Sequence, residues 1–269
     1  MSTVNAEKLA AILSPQQGPV LTWFHPRVQG EADIPRERIE LGGAVARRWV
    51  AKTDNFLANE FPFGATSFTA FLSPHWRTPF WLLTCWMRGL ELQAPGSPVD
   101  DLALSNDLDF LLSLQDEGGP DMMVAQTTDS YAFSWPDELP FGITDGIADV
   151  MSYGDEVEMP YTAEDDAPLL AEDASWLPPG LEEDPDKQRI RVCDLAERDY
   201  LGIDDSYSSD LTGERALVTT ADIILASVQI FQLWMRGATV VWVPGGEKSE
   251  EIANSERVTL TVPPVLPAM

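Results

Sequence analysis

The chain has few positively charged residues for its length. Its 269 residues include 17 lysines and arginines against 44 aspartates and glutamates, which gives a formal net charge of −27. Nucleic acids and anionic membrane surfaces are bound through a basic face, so this composition argues against both as partners. Solubility and self-repulsion explain such a surface without a specific partner, and adaptation to a salt-rich host is an alternative explanation.

Cysteine, histidine and long apolar runs are also scarce. The two cysteines, Cys85 and Cys193, do not make a disulfide framework, and Cys85 lies in an apolar helical pattern typical of a small core residue. Two histidines and two cysteines are too few for a zinc site. No window approaches eighteen consecutive apolar residues, and the N-terminal stretch lacks the apolar centre of a signal peptide. We therefore predict a cytoplasmic protein with no membrane span and no metal.

What the sequence does contain is a duplicated stretch. Residues 38–92 open with Arg-Ile-Glu-Leu, and residues 189–243 open with Arg-Ile-Arg-Val, at an offset of 151 positions. Both close with Trp-Met-Arg-Gly and an apolar run, at Trp86 and Trp234, at an offset of 148. Two anchors at nearly one offset predict a repeated structural unit.

Hydrophobic periodicity predicts the elements of this unit. The first copy is predicted as strand, helix, strand, helix and strand, at residues 39–41, 45–57, 68–72, 73–87 and 90–92. The second copy is predicted to repeat the later strand, helix and strand at 215–218, 223–235 and 238–243. Its first helix, at 195–201, is predicted to be much shorter. This alternation predicts the α/β class, with two related lobes that contain parallel or mixed sheets.

Shorter signals flank the two copies. They predict an N-terminal helix at 4–13 and a strand at 20–24 that forms a hairpin with the first copy. They also predict two short segments at 108–114 and 122–125 that extend the sheet, a helical turn at 250–255 and an edge strand at 258–262.

The middle of the chain is strongly acidic. Residues 89–186 contain no Lys, Arg or His and hold 25 of the 44 acidic residues. Scattered aromatics such as Trp135 and Tyr153 distinguish the segment from a disordered acidic tail. We therefore predict three parts. Residues 1–125 form a first lobe, residues 126–186 form an acidic Pro/Gly-rich connector that packs loosely on the lobes, and residues 187–269 form a second lobe with a tail.

Two carboxylate groups in this connector raise the question of calcium. They are Glu164-Asp165-Asp166 and Glu182-Glu183-Asp184, and neither has the alternating spacing or the glycine of a calcium loop. A solvated acidic face is favoured over a metal site.

Three segments resemble the large domain of the adenylate-forming superfamily, which includes acyl-CoA synthetases and peptide-synthetase adenylation domains. "ELGGAVARRWVAKTDNFLANEF" and "FTAFLSPHWRTPFWLLTCWMRGLEL" are similar to its start, and "DLTGERALVTTADIILASVQIFQLWMRGATVVWVP" is similar to a later segment. The whole chain also resembles short actinobacterial proteins of unassigned function, described as truncated relatives of AMP-binding enzymes. The resemblance implies the fold of the large N-terminal domain without the C-terminal lid domain.

The superfamily's chemistry-bearing motifs do not match this sequence. Its phosphate loop, which ends in Pro-Lys-Gly, belongs before the last of these segments, where residues 181–210 are acidic and have no glycine-rich run. A phosphate loop needs close backbone N–H groups and positive charge. The adenine-stacking motif, the ribose-binding Asp and the catalytic Lys belong beyond Val243, where 26 residues remain. The resemblance therefore implies no catalytic residue and no cofactor here.

This mismatch favours a catalytically degenerate relative with a non-enzymatic binding or scaffold role, whose partner is a protein or a small acyl ligand. A ligase-like enzyme that handles acyl groups or nucleotides in a rebuilt site is one alternative. A complex-forming protein that uses its acidic connector is another.

His75 and Arg77 are the candidate ligand-binding residues. They lie where a predicted strand meets its helix, the edge at which open α/β sheets place ligands. A hydrogen bond at the helix start, or simple packing, is the alternative role for His75. For Arg77 the position suggests an anion at the helix N-terminus. The sequence has neither a nucleophile elbow nor a Walker loop.

Overall fold

The structure is a computed structural model of the chain, and it describes residues 4–15, 18–26, 36–61, 64–94, 97–98, 101–164, 167–169, 195, 199–203 and 210–264. Its strands are β1 (Pro19–Phe24), β2 (Arg38–Gly42), β3 (Ser67–Phe71), β4 (Glu91–Leu92), β5 (Leu102–Ser105), β6 (Met122–Ala125), β7 (Ile143–Asp145), β8 (Arg215–Val218), β9 (Thr239–Trp242) and β10 (Leu260–Thr261). Its helices are α1 (Ala6–Leu13), α2 (Gly43–Glu60), α3 (Thr78–Met87), α4 (Leu108–Asp116), α5 (Ala148–Met151), α6 (Ile223–Met235) and α7 (Ser249–Ser255).

The strands form two five-stranded sheets. Sheet A has the order β10-β8-β9-β1-β2, with β2 antiparallel to β1 and the other pairs parallel. Sheet B has the order β4-β3-β5-β6-β7 and is parallel throughout. The mixed and parallel sheets confirm the predicted α/β class.

The path through sheet B reverses between β3 and β5. From β3 the chain passes through α3 to β4 on one side, and it then returns to place β5 on the other side. From there it continues outward through α4 to β6. Leu104 packs in the main core, whereas the neighbouring Ala103 packs with Leu111 of α4, so α4 covers the face of the sheet that α3 does not. This reversal is a topological switch point.

Sheet A repeats this path. The chain passes from β8 through α6 to β9, and it then returns through α7 to place β10 on the other side of β8. The units β3-α3-β4-β5 and β8-α6-β9-β10 therefore share one topology. That they are copies of one repeat stays a prediction. The proposed start of the second copy and its short helix, at 189–192 and 195–201, fall largely outside the described residues.

The matched helices α3 and α6 lie at the centre of the molecule. Every residue of α3 and residues 224–234 of α6 are buried, because both segments are mostly apolar around the helix and their few polar side chains are buried with them. The two helices contact each other, and the ring of Phe80 stacks on that of Trp234 with a centroid distance of 5.9 Å. This contact joins sheet A to sheet B through a shared core.

The repeated Trp-Met-Arg-Gly is a helix end in both copies. Gly89 and Gly237 have positive φ angles of 74° and 86°, the left-handed conformation that suits glycine after a helix. The indole N–H groups of Trp86 and Trp234 each donate to a backbone carbonyl at 3.1 and 3.0 Å. The motif therefore combines core packing with a helix cap.

The structure corrects three expectations about individual elements. β2 pairs with β1 in sheet A while β3 lies in sheet B, so α2 connects the two sheets and is not a crossover within one. Residues 108–114 form helix α4 and not a sheet extension, because the Asp107 side chain caps a helix there. The connector is not loose throughout, since it supplies β7 to sheet B and then helix α5.

The division into 1–125, 126–186 and 187–269 stays a prediction, and the sheets add a constraint to it. Strands β1 and β2 come from the first part yet complete the sheet of the last part. Within the described residues, no helix is long and apolar enough to cross a membrane.

Candidate functional site

A pocket of about 330 Å³ lies at the carboxyl edge of sheet B, at the switch point. Residues at or just after the ends of three neighbouring strands line it, namely Phe71, Leu72, Ser73, Asn106, Asp107 and Thr128. Open α/β sheets bind ligands at such a reversal, and this volume lies within the range of small-molecule sites. We therefore take this pocket as the candidate functional site.

A larger pocket of about 600 Å³ lies elsewhere. It lies beside the start of β9 at Thr239 and the end of α6 at Arg236, at the amino edge of sheet A. The amino edge is not where this architecture places ligands, so volume alone does not make it the site.

Asn106 connects the three strand ends. Its side-chain oxygen accepts a hydrogen bond from the Ser73 N–H, and its side-chain N–H donates to the carbonyl of Gln126. These two bonds fix the ends of β3 and β6 to the end of β5. The pocket is thus built on a rigid edge.

Asp107 contributes the pocket's carboxylate. One oxygen accepts hydrogen bonds from the N–H groups of Asp109 and Phe110 at 3.0 and 3.2 Å, at the start of α4. The side chain is solvent-exposed, and no ion pair to it occurs among the described residues. The positive end of α4 is therefore already matched by a negative charge of the protein.

Phe71 gives the pocket an aromatic wall. It is 57% exposed, and its ring contacts that of Phe110 with a centroid distance of 5.1 Å. Large aromatic side chains that remain exposed beside a pocket are typical of binding surfaces.

Arg77 lies at the predicted edge, but its charge is used within the protein. It is 2% exposed, its guanidinium donates to the carbonyls of Asp129 and Ser130 at 2.8 and 3.1 Å, and it lies 4.3 Å from the Trp76 ring centroid. Burial lowers the pKa of Arg77 to about 10, although the nearby Asp129 carboxylate opposes the shift. The side chain positions the loop after β6.

His75 lies beside Arg77 and is held as a neutral ring. Its Nδ1 accepts a hydrogen bond from the Arg77 N–H at 3.2 Å, so the proton of the neutral ring is on Nε2, 3.2 Å from the Ser130 hydroxyl oxygen. Burial, with smaller contributions from Arg77 and His25, lowers the pKa of His75 to about 2. A base for Ser130 would need a free lone pair on Nε2. This pair is therefore not arranged as a catalytic dyad.

Sequence reasoning located the edge but not the pocket. His75 and Arg77 lie together at the carboxyl end of β3, and both make structural contacts. That either contacts a ligand stays a prediction. Asp107 was missed, although an Asp directly before the amphipathic run 108–116 is a helix-start signal that points to this edge.

The carboxylates considered for calcium fall mostly outside the described residues, since only Glu164 of the two groups is described. Over the described part of the chain, no group of three or more His, Cys, Asp and Glu side chains is arranged to hold a metal ion.

Comparison with known proteins identifies the fold. No family model matches the sequence. A curated relative, the "TIGR03089 family protein" of Mycobacterium tuberculosis, is 30% identical over 138 residues, which cover 49% of this chain and 55% of the relative. The chain thus matches about half the length of that protein.

Solved structures match the fold over nearly the whole chain. An acyl-CoA synthetase from Brucella canis aligns with a TM-score of 0.65 at 14% identity, over 97% of this chain and 47% of its own. Acetoacetyl-CoA synthetase from Streptomyces lividans aligns with a TM-score of 0.65 at 16% identity, over 96% and 42%. The chain therefore has the fold of the N-terminal domain of adenylate-forming enzymes, which confirms the predicted fold.

Proposed function

We propose that the protein is a non-catalytic binding protein that uses the switch-point pocket on an adenylate-forming scaffold and forms no adenylate. The observation that carries the proposal is the state of the helix N-termini beside the strand ends. Enzymes that hold nucleotide phosphates commonly place them on free N–H groups at such a terminus.

At the starts of α4 and α6 those N–H groups already have partners. Asp107 caps α4, and Asp222 caps α6 by accepting from the N–H groups of Ile224 and Leu225, both at 2.9 Å. Helix α3 has Pro79, which lacks an N–H, in its first turn. At α4 or α6 a phosphate would have to displace the carboxylate of Asp107 or Asp222.

The charges at the carboxyl edge of sheet B support the same proposal. Among the described residues of the segments that follow β3, β5, β6 and β7, Arg77 is the cationic side chain, and its guanidinium is bound to the loop after β6. Two unit charges 4 Å apart interact by about 1 kcal/mol in water and by more where water is excluded. The Asp107 carboxylate would therefore repel a nucleotide polyphosphate in this pocket.

The complex-forming alternative is less well supported for the part of the connector that is described. Asp155 and Glu156 pair with Lys52 and Arg47 of α2 at 3.0 and 2.5 Å. Those carboxylates are already matched by the protein's own cations.

A thermal-shift titration tests the proposal. Ligand that binds only the folded state raises the melting temperature, and a ligand at about 100 times its dissociation constant adds about 2.7 kcal/mol of stability. We expect Mg-ATP, AMP and a non-hydrolysable acyl-adenylate mimic to cause no saturable shift, while an active acyl-CoA synthetase in the same assay responds. A saturable shift here that is lost in His75→Ala would instead support the rebuilt-site enzyme.

A further inference from the structure

We propose that the switch-point pocket binds an organic ammonium group carried on an apolar chain. The inference rests on the proposed binding function and specifies its ligand. Three features of the pocket support it, namely its carboxylate, its aromatic wall and its hydroxyl groups.

The carboxylate supplies the charge complement. Asp107 is exposed at the pocket and is not paired with a cation among the described residues, while its bonds to the start of α4 use one of its two oxygens. An ammonium group that contacts the other oxygen gains a charge-assisted hydrogen bond. No Lys, Arg or His occurs between residues 89 and 186, so the segments that supply Asn106, Asp107 and Thr128 add no competing cation.

The aromatic wall suits the same ligand. An ammonium group placed over an aromatic face is attracted by the negative charge of the ring face. Phe71 is exposed at the pocket, and its ring contacts that of Phe110. The alkyl chain of the ligand can lie along Phe71 and Leu72, which removes apolar surface from water on both sides.

The hydroxyl groups complete the set of acceptors. Ser73 and Thr128 are exposed at the pocket, on opposite sides of Asn106 and Asp107. An ammonium group has three N–H donors, and the carboxylate and the two hydroxyl oxygens are the side-chain acceptors that line the pocket beside Asn106. A carboxylate ligand would meet like charge at Asp107, so the pocket discriminates against anions of the same length.

Two sources offer this chemistry, a free alkylamine and a lysine side chain. The probes are therefore n-hexylammonium and N-acetyl-lysine amide, with hexanoate as the anion of matched length. We expect saturable NMR shifts of the amides at 71–73 and 106–107 with at least one of the two cations and none with hexanoate. The response to each cation identifies the source.

Asp107→Asn is the main variant, because Asn caps a helix as well as Asp does and the fold is retained. We expect it to weaken ammonium binding about tenfold. Asp222→Asn is the matched control, since it makes the same change at the cap of α6, outside the residues that line the pocket, and it should leave affinity unchanged. Phe71→Ala should weaken binding by about two- to fivefold, whereas Phe141→Ala, which removes a 98% exposed ring before β7, should not.

Three results would overturn the inference. They are no binding of either ammonium probe, equal affinity in Asp107→Asn, and hexanoate binding at the same amides. Each of these leaves the non-catalytic assignment standing. Saturable binding of Mg-ATP or AMP would instead overturn the proposed function, so the two failures are distinguishable.

Discussion

At the scale of single residues, the arginine of Trp-Met-Arg-Gly lies in two different environments at its two occurrences. Arg88 makes a bidentate contact to Asp54 at 2.9 and 3.0 Å, with side chains that are 14% and 2% exposed. Arg236 makes one contact to Asp199 at 3.2 Å, with side chains that are 27% and 51% exposed. Removing one partner of a buried pair leaves the other charge unpaired, whereas an exposed pair contributes little.

We therefore expect Arg88→Met to lower the free energy of unfolding by about 3–5 kcal/mol. Arg236→Met, the same change in the other copy, should lower it by less than about 1 kcal/mol. Urea denaturation of the two variants and the parent protein measures both values. Equal losses would show that the buried pair has no special role.

The pH dependence of the Arg88→Met variant has a definite sign. Burial raises the pKa of Asp54 even with Arg88 present, and without Arg88 that pKa rises further. A carboxyl group whose pKa is higher in the folded state than in the unfolded state stabilises the fold less as pH rises through the interval between the two values. The stability loss should thus be larger at pH 8 than at pH 5.

At the scale of elements, α2 fixes the acidic segment that follows α5. The side chain of Asn55 is buried, donates to the carbonyls of Gly154 and Glu156 at 3.2 and 2.7 Å, and accepts from the N–H of Glu158 at 2.9 Å. Lys52 adds to this attachment by donating to the carbonyl of Met151, at the end of α5, and to that of Tyr153 in the segment.

We expect Asn55→Ala to release this segment locally. The carbonyls of Gly154 and Glu156 are able to bind water once the Asn55 side chain is removed. The segment should therefore open locally while the rest of the protein stays folded. Hydrogen exchange at the Glu158 amide should accelerate at least about tenfold, for a local cost of about 1.4 kcal/mol or more. Asn59→Ala is the control, because the bond of that side chain within the described part of the chain goes to the Asn55 carbonyl of its own helix. Equal exchange rates in both variants would contradict this role for Asn55.

Elements with a strong local pattern could be predicted from the sequence. Helix α6 and its flanking strands β8 and β9 match their predicted positions. A long apolar run marks the helix, Gly237 follows its end, and a short apolar segment lies on each side. Strand β7 was missed, since its three residues carry no periodicity and gain their place by pairing with β6. For the same reason the sequence predicted the sheet edge that holds the candidate site but not the pocket itself. Strand order alone brings Asp107 and Thr128 to the end of β3.

At the scale of the whole molecule, sheet A depends on contacts between distant parts of the chain. β1 pairs with β9 across more than two hundred residues, with Leu21 opposite Val240. Local sequence patterns do not encode such a pairing. The shared core around α3 and α6 then makes both sheets depend on one another, so we expect denaturation to be a single cooperative event.

The same molecule carries a net charge of −27, and mutual repulsion of its carboxylates opposes this compact state. Raising NaCl from about 20 mM to about 300 mM shortens the Debye length below 10 Å. We expect the melting temperature at pH 7.5 to rise by roughly 5 °C, which corresponds to about 1–2 kcal/mol for a chain of this size. Near the sequence pI of about 4.1 the repulsion disappears, so salt should then have little effect. An equal rise at about pH 4.5 would assign the effect to general salt stabilisation and not to charge repulsion.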